Sequence, residues 1–264
     1  MKKILITGGT GNLGKVIVDL LGKTGSGVFV LTSQDGLQDS QNIRFIKGDL
    51  TDKDSLVDLK NQFDIIIHCA SNALNSEAID INGSRNLLDT VIYGKPEHFI
   101  YISIAGVDKS SFKYYQNKNR VENFIKESGI PYTIIRATQF HDLVLQRIIK
   151  PIAGVNGKKL LIPQNLRFQS IDKKDVAQKV YEVTGQNPEN EIICIGGPEI
   201  LSLEKMIDIY LTLLNRDEIT ESIPPYNELQ KIFTTGINLC PENKYGTITW
   251  SDYLKSVLTI DNKQ

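Results

Sequence analysis

The stretch MKKILITGGTGNLG, Met1 to Gly14, decides how the chain is read. The apolar run Ile4-Leu5-Ile6 stops at Thr7, and Gly8-Gly9-Thr10-Gly11-Asn12-Leu13-Gly14 comes directly after it. Apolar residues then recur at Leu13, Val16, Ile17, Leu20 and Leu21, the single-face stripe of a helix laid on a sheet. The pattern predicts a strand, a tight turn and a helix start. Gly8, Gly11 and Gly14 keep a GxxGxxG spacing, and each has a task if a pyrophosphate lies on the turn. One takes the positive φ of the bend, one lets backbone approach phosphate, and one lets helix pack closely on strand. The helix N-terminus offers the same anion unpaired N–H groups and the positive end of a dipole. Glycine turns also arise for structural reasons alone, so this one takes its meaning from the strands and helices later in the chain.

Gly22 and Gly25 end the first helix, and short β-branched or aromatic runs come next at Val28–Leu31, Ile43–Ile46, Ile65–Cys69, Phe99–Ser103 and Tyr132–Arg136. Helical patterns separate several of them: Leu56, Leu59 and Phe63 after Thr51-Asp52, then Ala78 to Ile92, then about Phe112 to Lys126. Strand and helix in alternation are what a parallel α/β sheet requires. The expectation is an α/β fold, a Rossmann-type doubly wound parallel sheet with helices on both faces and a smaller C-terminal lobe over its carboxyl edge, where such folds bind ligands. Residues 1–139 form the dinucleotide-binding core on this reading, and 140–264 a mixed region with the remaining core elements and a small substrate-binding lobe.

Beyond Arg136 the rhythm changes. A helix over Phe140–Ile149 precedes strands near Leu160–Ile162 and Phe168–Ile171, and Asp172 with Asp175 resembles a capping box before a helix over Val176–Val183. A strand over Ile192–Ile195 comes next, and the rest reads as mostly helical, with Ser202 as an N-cap and stripes over Met206–Leu214 and Leu229–Phe233.

Composition narrows the function. The 30 lysines and arginines nearly balance 31 acids, and no basic block stands out, which argues against nucleic acid as the main ligand. Cys69, Cys194 and Cys240 are far apart and make no zinc spacing with His68, His98 or His141, so no metal site is expected and a reducing compartment fits. The apolar run after Lys2-Lys3 is too short for a signal peptide, and nothing approaches a membrane span. The expectation is a cytoplasmic protein acting on a small-molecule substrate, as a monomer or homodimer.

In Lys113-Tyr114-Tyr115-Gln116-Asn117-Lys118, Tyr114 and Lys118 are four apart and share a helix face. A phenol with a pKa of about 10 exchanges protons poorly at neutral pH. An ammonium about 4 Å away is worth roughly 4 kcal/mol at an effective dielectric near 20, enough to lower that pKa by a few units. Ser103 ends the preceding strand, where its hydroxyl could bond a substrate carbonyl as it gains charge. Serine, tyrosine and lysine would then make a reductive site, with Tyr114 passing a proton to the oxygen and a nicotinamide over the first turn supplying hydride. Tyr115 competes with Tyr114, but its i+4 partner is Asn119.

These residues carry a family resemblance. TGGTGNLG at the start, GDLTD at Gly48–Asp52, INGSRNLLD around Asn82, YISIAGVD at Tyr101–Asp108, YYQNK at Tyr114–Lys118 and SGIPYTIIRATQF at Ser128–Phe140 resemble the atypical short-chain dehydrogenase/reductases, in particular their NmrA-like NAD(P)-binding branch. DVA at Asp175–Ala177 and GGPEILSLEKM at Gly196–Met206 fit the same branch. The resemblance implies that Gly8, Thr10, Gly11, Asn12 and Leu13, with Gly14, hold the pyrophosphate. It implies Asp49 and Leu50 beside the adenine, Ala70 and Ser71 by a ribose, and Ala137, Thr138 and Gln139 bordering the nicotinamide. Lys118 would bind the nicotinamide ribose as well as tune Tyr114. Relatives often end the second strand with an arginine for the NADP phosphate or an acid for the NAD ribose. Here Thr32-Ser33-Gln34 stand there before Asp35, a faint lean to NADP with Ser33 at the tip.

Plainer readings stand beside these. Tyr114 and Lys118 could be a solvated helix face, and Ser103 could simply end a strand. His68 reads as a satisfied core histidine and Cys69 as a small buried hydrophobe. His141 reads as a substrate contact or a surface position at a helix start, and Trp250 and Tyr210 as packing residues. Two other functions fit the pattern: a dinucleotide-sensing regulator without turnover, and a nucleotide-sugar epimerase or dehydratase that keeps its NAD.

Overall fold

The computed structural model describes residues 2–60, 63–154 and 159–261. In chain order the elements are β1 (Lys3–Thr7), α1 (Gly14–Gly22), β2 (Gly27–Thr32), β3 (Ile43–Lys47), β4 (Ile65–His68), α2 (Gly83–Val91), β5 (His98–Ile104), α3 (Lys113–Glu127) and β6 (Tyr132–Ala137). Next come α4 (His141–Val144), α5 (Lys150–Ala153), β7 (Leu160–Pro163), β8 (Arg167–Phe168), α6 (Lys173–Thr184), β9 (Glu191–Ile195), β10 (Leu201–Ser202), α7 (Leu203–Leu213), β11 (Thr220–Ile223), α8 (Glu228–Thr235) and α9 (Trp250–Asp261). Seven strands form one sheet in the order β3-β2-β1-β4-β5-β6-β9, the doubly wound α/β arrangement that the alternation of strand and helix predicts.

Parallel register aligns Thr7 with Leu31 and His68, and His68 with Tyr101, so the strand ends that carry Gly8, Cys69 and Ile102 lie side by side. Gly8 sits at φ +69°, and a Cβ there would come within 2.6 Å of Ala70 N. At Gly14 a Cβ would collide with the Gly8 carbonyl. The turn thus uses one glycine for a left-handed bend and another for close helix packing.

Two compact units divide the chain. The first holds Met1–Ser103, Lys113–Arg136 and Ala177–Ile193. Its core packs Leu5, Ile66, Phe99 and Ile134 of the strands against Leu87 and Val91 of α2 and Val121 and Ile125 of α3. The second holds Ile104–Phe112, Ala137–Val176 and Cys194–Gln264. Its core gathers Phe168, Met206, Tyr210, Phe233, Trp250 and Leu254. Trp250 and Tyr210 are packing residues, as their sequence setting indicates.

Several local expectations change. The Leu56–Leu59 segment is a 3-10 helix, Lys53–Leu59, capped by Asp52, which accepts from Asp54 N. The helix expected from Ala78 opens as a π turn, Glu77–Asn82, in which Gly83 N–H reaches back to Ala78 O. Asp172 caps α6 by accepting from Lys174 N at 2.8 Å. Asp175 does not close a capping box: its carboxylate accepts from Thr247 N, Thr247 Oγ1 and Ile248 N. Ser202 caps α7 as predicted, accepting from Lys205 N.

Candidate active site

The glycine turn leads directly into α1. Gly11 N donates to Gly8 O at 2.9 Å, Gly11 and Asn12 are exposed, and Leu13 at the N-cap has no side chain able to cap the first turn. That turn of α1 contains no acid. Its N–H groups and dipole end suit an anion, so the residues fit a pyrophosphate.

Tyr114 stands on the first turn of α3, and its hydroxyl lies 2.8 Å from Ser71 Oγ. Ser71 is next to Ala70, the residue that backs onto Gly8, so this contact brings the phenol to the strand ends beside the glycine turn. Ser71 Oγ in turn donates to Asp80 Oδ1 at 2.6 Å, and Asn72 N donates to Asp80 Oδ2 at 3.1 Å. Lys118 Nζ, one turn along α3, donates to Ile102 O at 2.8 Å, lies 3.8 Å from Asp80 Oδ1 and sits 4.4 Å from the centre of the Tyr101 ring. Both charges are buried. A buried lysine needs such a partner, because an isolated ammonium in this setting would be costly.

The expectation that Lys118 lowers the pKa of Tyr114 is corrected. Burial pushes the phenol up to about 12; the Ser71 hydrogen bond opposes the rise and the Asp80 charge adds to it. Burial also lowers the Lys118 pKa, against the pull of Asp80 and, more weakly, Cys69 and Glu122. Lysine here answers Asp80, and the tyrosine keeps its proton.

Ser103 is buried at the end of β5 and donates to Glu122 Oε1 at 2.6 Å. Arg136 grips the same carboxylate through Nε at 2.9 Å and Nη2 at 2.6 Å. A hydroxyl has one proton, and this one is given to Glu122. The geometry therefore assigns Ser103 to a buried ion pair rather than to a substrate carbonyl.

Other predicted positions are tied to their own surroundings. Asp49 accepts from Thr51 N and Oγ1 at 2.8 Å each, while Leu50 is buried in the core of the first unit. At the tip of β2, Thr32 Oγ1 accepts from Gln34 N, and Lys47 Nζ reaches Ser33 O at 2.6 Å and Asp35 Oδ1 at 2.7 Å. In the second unit, Ala137 O accepts from Ala105 N, and Thr138 Oγ1 donates to Gln169 O at 2.5 Å. Gln139 Oε1 accepts from Asn238 Nδ2 at 3.1 Å.

His68 is the satisfied core histidine expected, between Thr7 Oγ1 at 2.6 Å and Ser84 Oγ at 2.8 Å. Burial, helped by the Lys118 charge, lowers its pKa to about 3, so it is neutral. The Cys69 thiol is pushed up to about 12 by burial and stays protonated, although the residue as a whole is only half-buried. His141 is not a surface residue. It is buried between Ser170 Oγ and Ile248 O, stacked on Tyr253 at 5.2 Å.

Asp80, which joins Ser71 and Lys118, is the residue of this cluster that sequence reading passes over. Its one signal is a lone acid between Ile79 and Ile81 in an otherwise apolar run.

Comparison with known proteins bears on this arrangement. Residues 1–253 match the NmrA-like family. An isoflavone reductase homolog from Solanum tuberosum is 24% identical over 225 residues, covering 79% of this chain and 73% of that protein. Among solved structures, a nucleoside-diphosphate-sugar epimerase from Staphylococcus aureus aligns with TM-score 0.81 at 17% identity, over 96% of this chain and 99% of that one. An NADPH-dependent quinone oxidoreductase from Escherichia coli, complexed with NADPH, aligns with TM-score 0.80 at 15% identity, over 97% and 99%.

Proposed function

The chain belongs to the NmrA-like family, and we propose on that footing that it is an NAD(P)-dependent oxidoreductase transferring hydride to or from a small carbonyl or hydroxyl substrate. The observation that carries the reading is the 2.8 Å contact between Tyr114 and Ser71, which sets a phenol beside the residue that backs onto the glycine turn. The reductase and oxidoreductase names borne by similar proteins support the same reaction class.

Gly8, Thr10, Gly11, Asn12, Leu13 and Gly14 would hold the dinucleotide's pyrophosphate at the α1 N-terminus, and Ala70 and Ser71 would border a ribose. The chemistry supplied by the bound dinucleotide is hydride transfer at the substrate carbon. The chain's part is the proton. With its pKa pushed up to about 12, Tyr114 is protonated at neutral pH and would give its proton to the substrate oxygen. Lys118, paired with Asp80, would bind the nicotinamide ribose, as the family resemblance implies.

NADP is the favoured form of the cofactor on this reading. Thr32, Ser33 and Gln34 carry no carboxylate at the end of β2, and Lys47, held at Ser33 O and paired with Asp35, brings a cation there. Residues 1–139 serve the cofactor and 140–264 the choice of substrate. Three free cysteines accord with a reducing, cytoplasmic setting. Among the described residues no helix is long and apolar enough to cross a membrane. The protein acts as a monomer or homodimer.

Tyr114→Phe tests the reaction: turnover falls by roughly 10²–10⁴-fold while cofactor binding is retained. Full turnover in that variant would remove Tyr114 from the mechanism.

A further inference from the structure

Asp80 is a carboxylate with no exposed side-chain surface, lodged in the π turn at the head of α2 and shared among three donors. An ionised carboxylate only accepts hydrogen bonds, and a serine hydroxyl has a single proton to give. Ser71 Oγ lies 2.6 Å from Asp80 Oδ1 and gives its proton to the carboxylate. That leaves the Ser71 oxygen facing Tyr114 as an acceptor, so at 2.8 Å the phenol is the donor. The direction of every proton in the chain Tyr114, Ser71, Asp80 is set by the charge at its end.

We propose that Asp80 is a positioning residue for Tyr114: by taking the Ser71 proton and pairing with Lys118, it makes Ser71 the acceptor of the Tyr114 hydroxyl and so holds the phenol in its proton-carrying form. The inference rests on the reading of Tyr114 as the proton donor of the reaction. Tyr114 is only part-buried, so its hydroxyl can turn from Ser71 to a substrate oxygen and pass the proton there, which the buried Ser103 cannot do. The phenolate left behind meets a Ser71 oxygen with no proton to offer, because Asp80 keeps it, and is therefore disfavoured until it takes a proton from solvent.

The π turn is the structural device that makes this possible. An i→i+5 bond adds a residue to the turn and rotates side chains relative to an α-helix, and here Gly83 N–H closes it on Ala78 O. Asn117 and Arg120 of α3 tie its start through Ser76 and Glu77, at 2.9 Å for Asn117 Nδ2 to Ser76 Oγ and 3.5 Å for Arg120 Nη1 to Glu77 Oε2. The other ionisable groups around the pair are Lys118 and Glu122 on α3, Tyr101 on β5, Cys69 after β4 and Glu77 on the π turn itself. Burial does most to raise the Tyr114 pKa and the Asp80 charge adds to it; the opposing effect, a hydrogen bond from Ser71 to the phenol oxygen, needs the Ser71 proton that Asp80 takes.

The test needs no substrate. Tyrosine labelled with carbon-13 at the hydroxyl-bearing ring carbon reports its own protonation by NMR, and the Tyr114 signal is assigned by its loss in Tyr114→Phe. In Asp80→Asn an amide replaces the charge and can donate to Ser71, which frees the Ser71 proton to face Tyr114. The Tyr114 titration midpoint is expected at least about one pH unit lower than in the wild type, a roughly ten-fold weaker hold on its proton. A midpoint left where it was, or no ionisation of Tyr114 in either folded protein, overturns the proposal. Should Asp80→Asn not fold, neutron diffraction on the wild type decides instead. Deuterium between Ser71 and Asp80, with the Tyr114 deuterium on Ser71, is the expected pattern, and a Ser71 deuterium facing Tyr114 overturns it. Turnover separates the two readings: unimpaired Tyr114→Phe sinks the reaction, whereas an inactive Tyr114→Phe with an unmoved Asp80→Asn midpoint sinks this inference alone.

Discussion

Ser103 of β5 donates to Oε1 of Glu122 on α3 at 2.6 Å, on the carboxylate that Arg136 of β6 holds through two nitrogens. A hydroxyl beside the end of the central strands thus serves packing, while Ser71, one strand over, is the one that meets the tyrosine. Ser103→Ala should cost about 1.5–3 kcal/mol in unfolding free energy, the range for a hydrogen bond to a charged group. Its effect on kcat should be far smaller than that of Tyr114→Phe. Urea unfolding and steady-state kinetics on both variants check this, and an equal collapse of kcat in the two would return Ser103 to the reaction.

Removing Arg136 leaves the Glu122 carboxylate buried without its main partner. Arg136→Ala should destabilise by about 3–5 kcal/mol. Adding Glu122→Gln to it should recover part of the loss, since the orphaned charge is then gone. Denaturant midpoints across the cycle give the coupling.

Acid should weaken the fold through its buried histidines. Burial holds His68 at about 3 and His98 at about 4, below the 6.5 of an unfolded histidine. Between those values the unfolded chain binds protons that the folded chain refuses, so this stability is complete above about 6.5 and is lost as pH falls. Each histidine contributes a slope of about 1.4 kcal/mol per pH unit in that window. Urea unfolding at several pH values should show the decline, and His68→Gln should make it shallower. A stability independent of pH from about 7 to about 5 would be inconsistent with the buried neutral imidazoles.

Lys47→Ala should weaken NADPH binding by roughly 10–100-fold, the equivalent of one charged hydrogen bond. NADH, which lacks the extra phosphate, should bind as before. Equal losses for both would detach Lys47 from cofactor choice.

Local chemistry was legible in the sequence, and pairings across long separations were not. The glycine turn declares itself because Gly8, Gly11 and Gly14 act on their own backbone within one bend, and the shared face of Tyr114 and Lys118 comes from helical spacing. Ser103 and Glu122 are 19 residues apart, and their bond depends on how α3 lies against β5. Asp80 was hidden because a π turn, which no periodicity announces, sets its direction. The burial of His141 has no local signal, since Trp250 and Tyr253, which pack on its ring, are distant in the sequence. The short strand β11 was missed for a similar reason, as it pairs with β7 from Thr220 opposite Leu160 onward.

Titration of the purified protein with NADPH and NADH, followed by nicotinamide fluorescence, tests the central claim most directly, on the wild type and on Gly11→Val. Gly11 is exposed, and a Cβ there would lie 3.1 Å from Gly8 O, so the substitution crowds the turn while leaving the core untouched. The account predicts saturable binding by the wild type, tighter for NADPH, and its loss in Gly11→Val. Absence of binding of either dinucleotide to the wild type would contradict it.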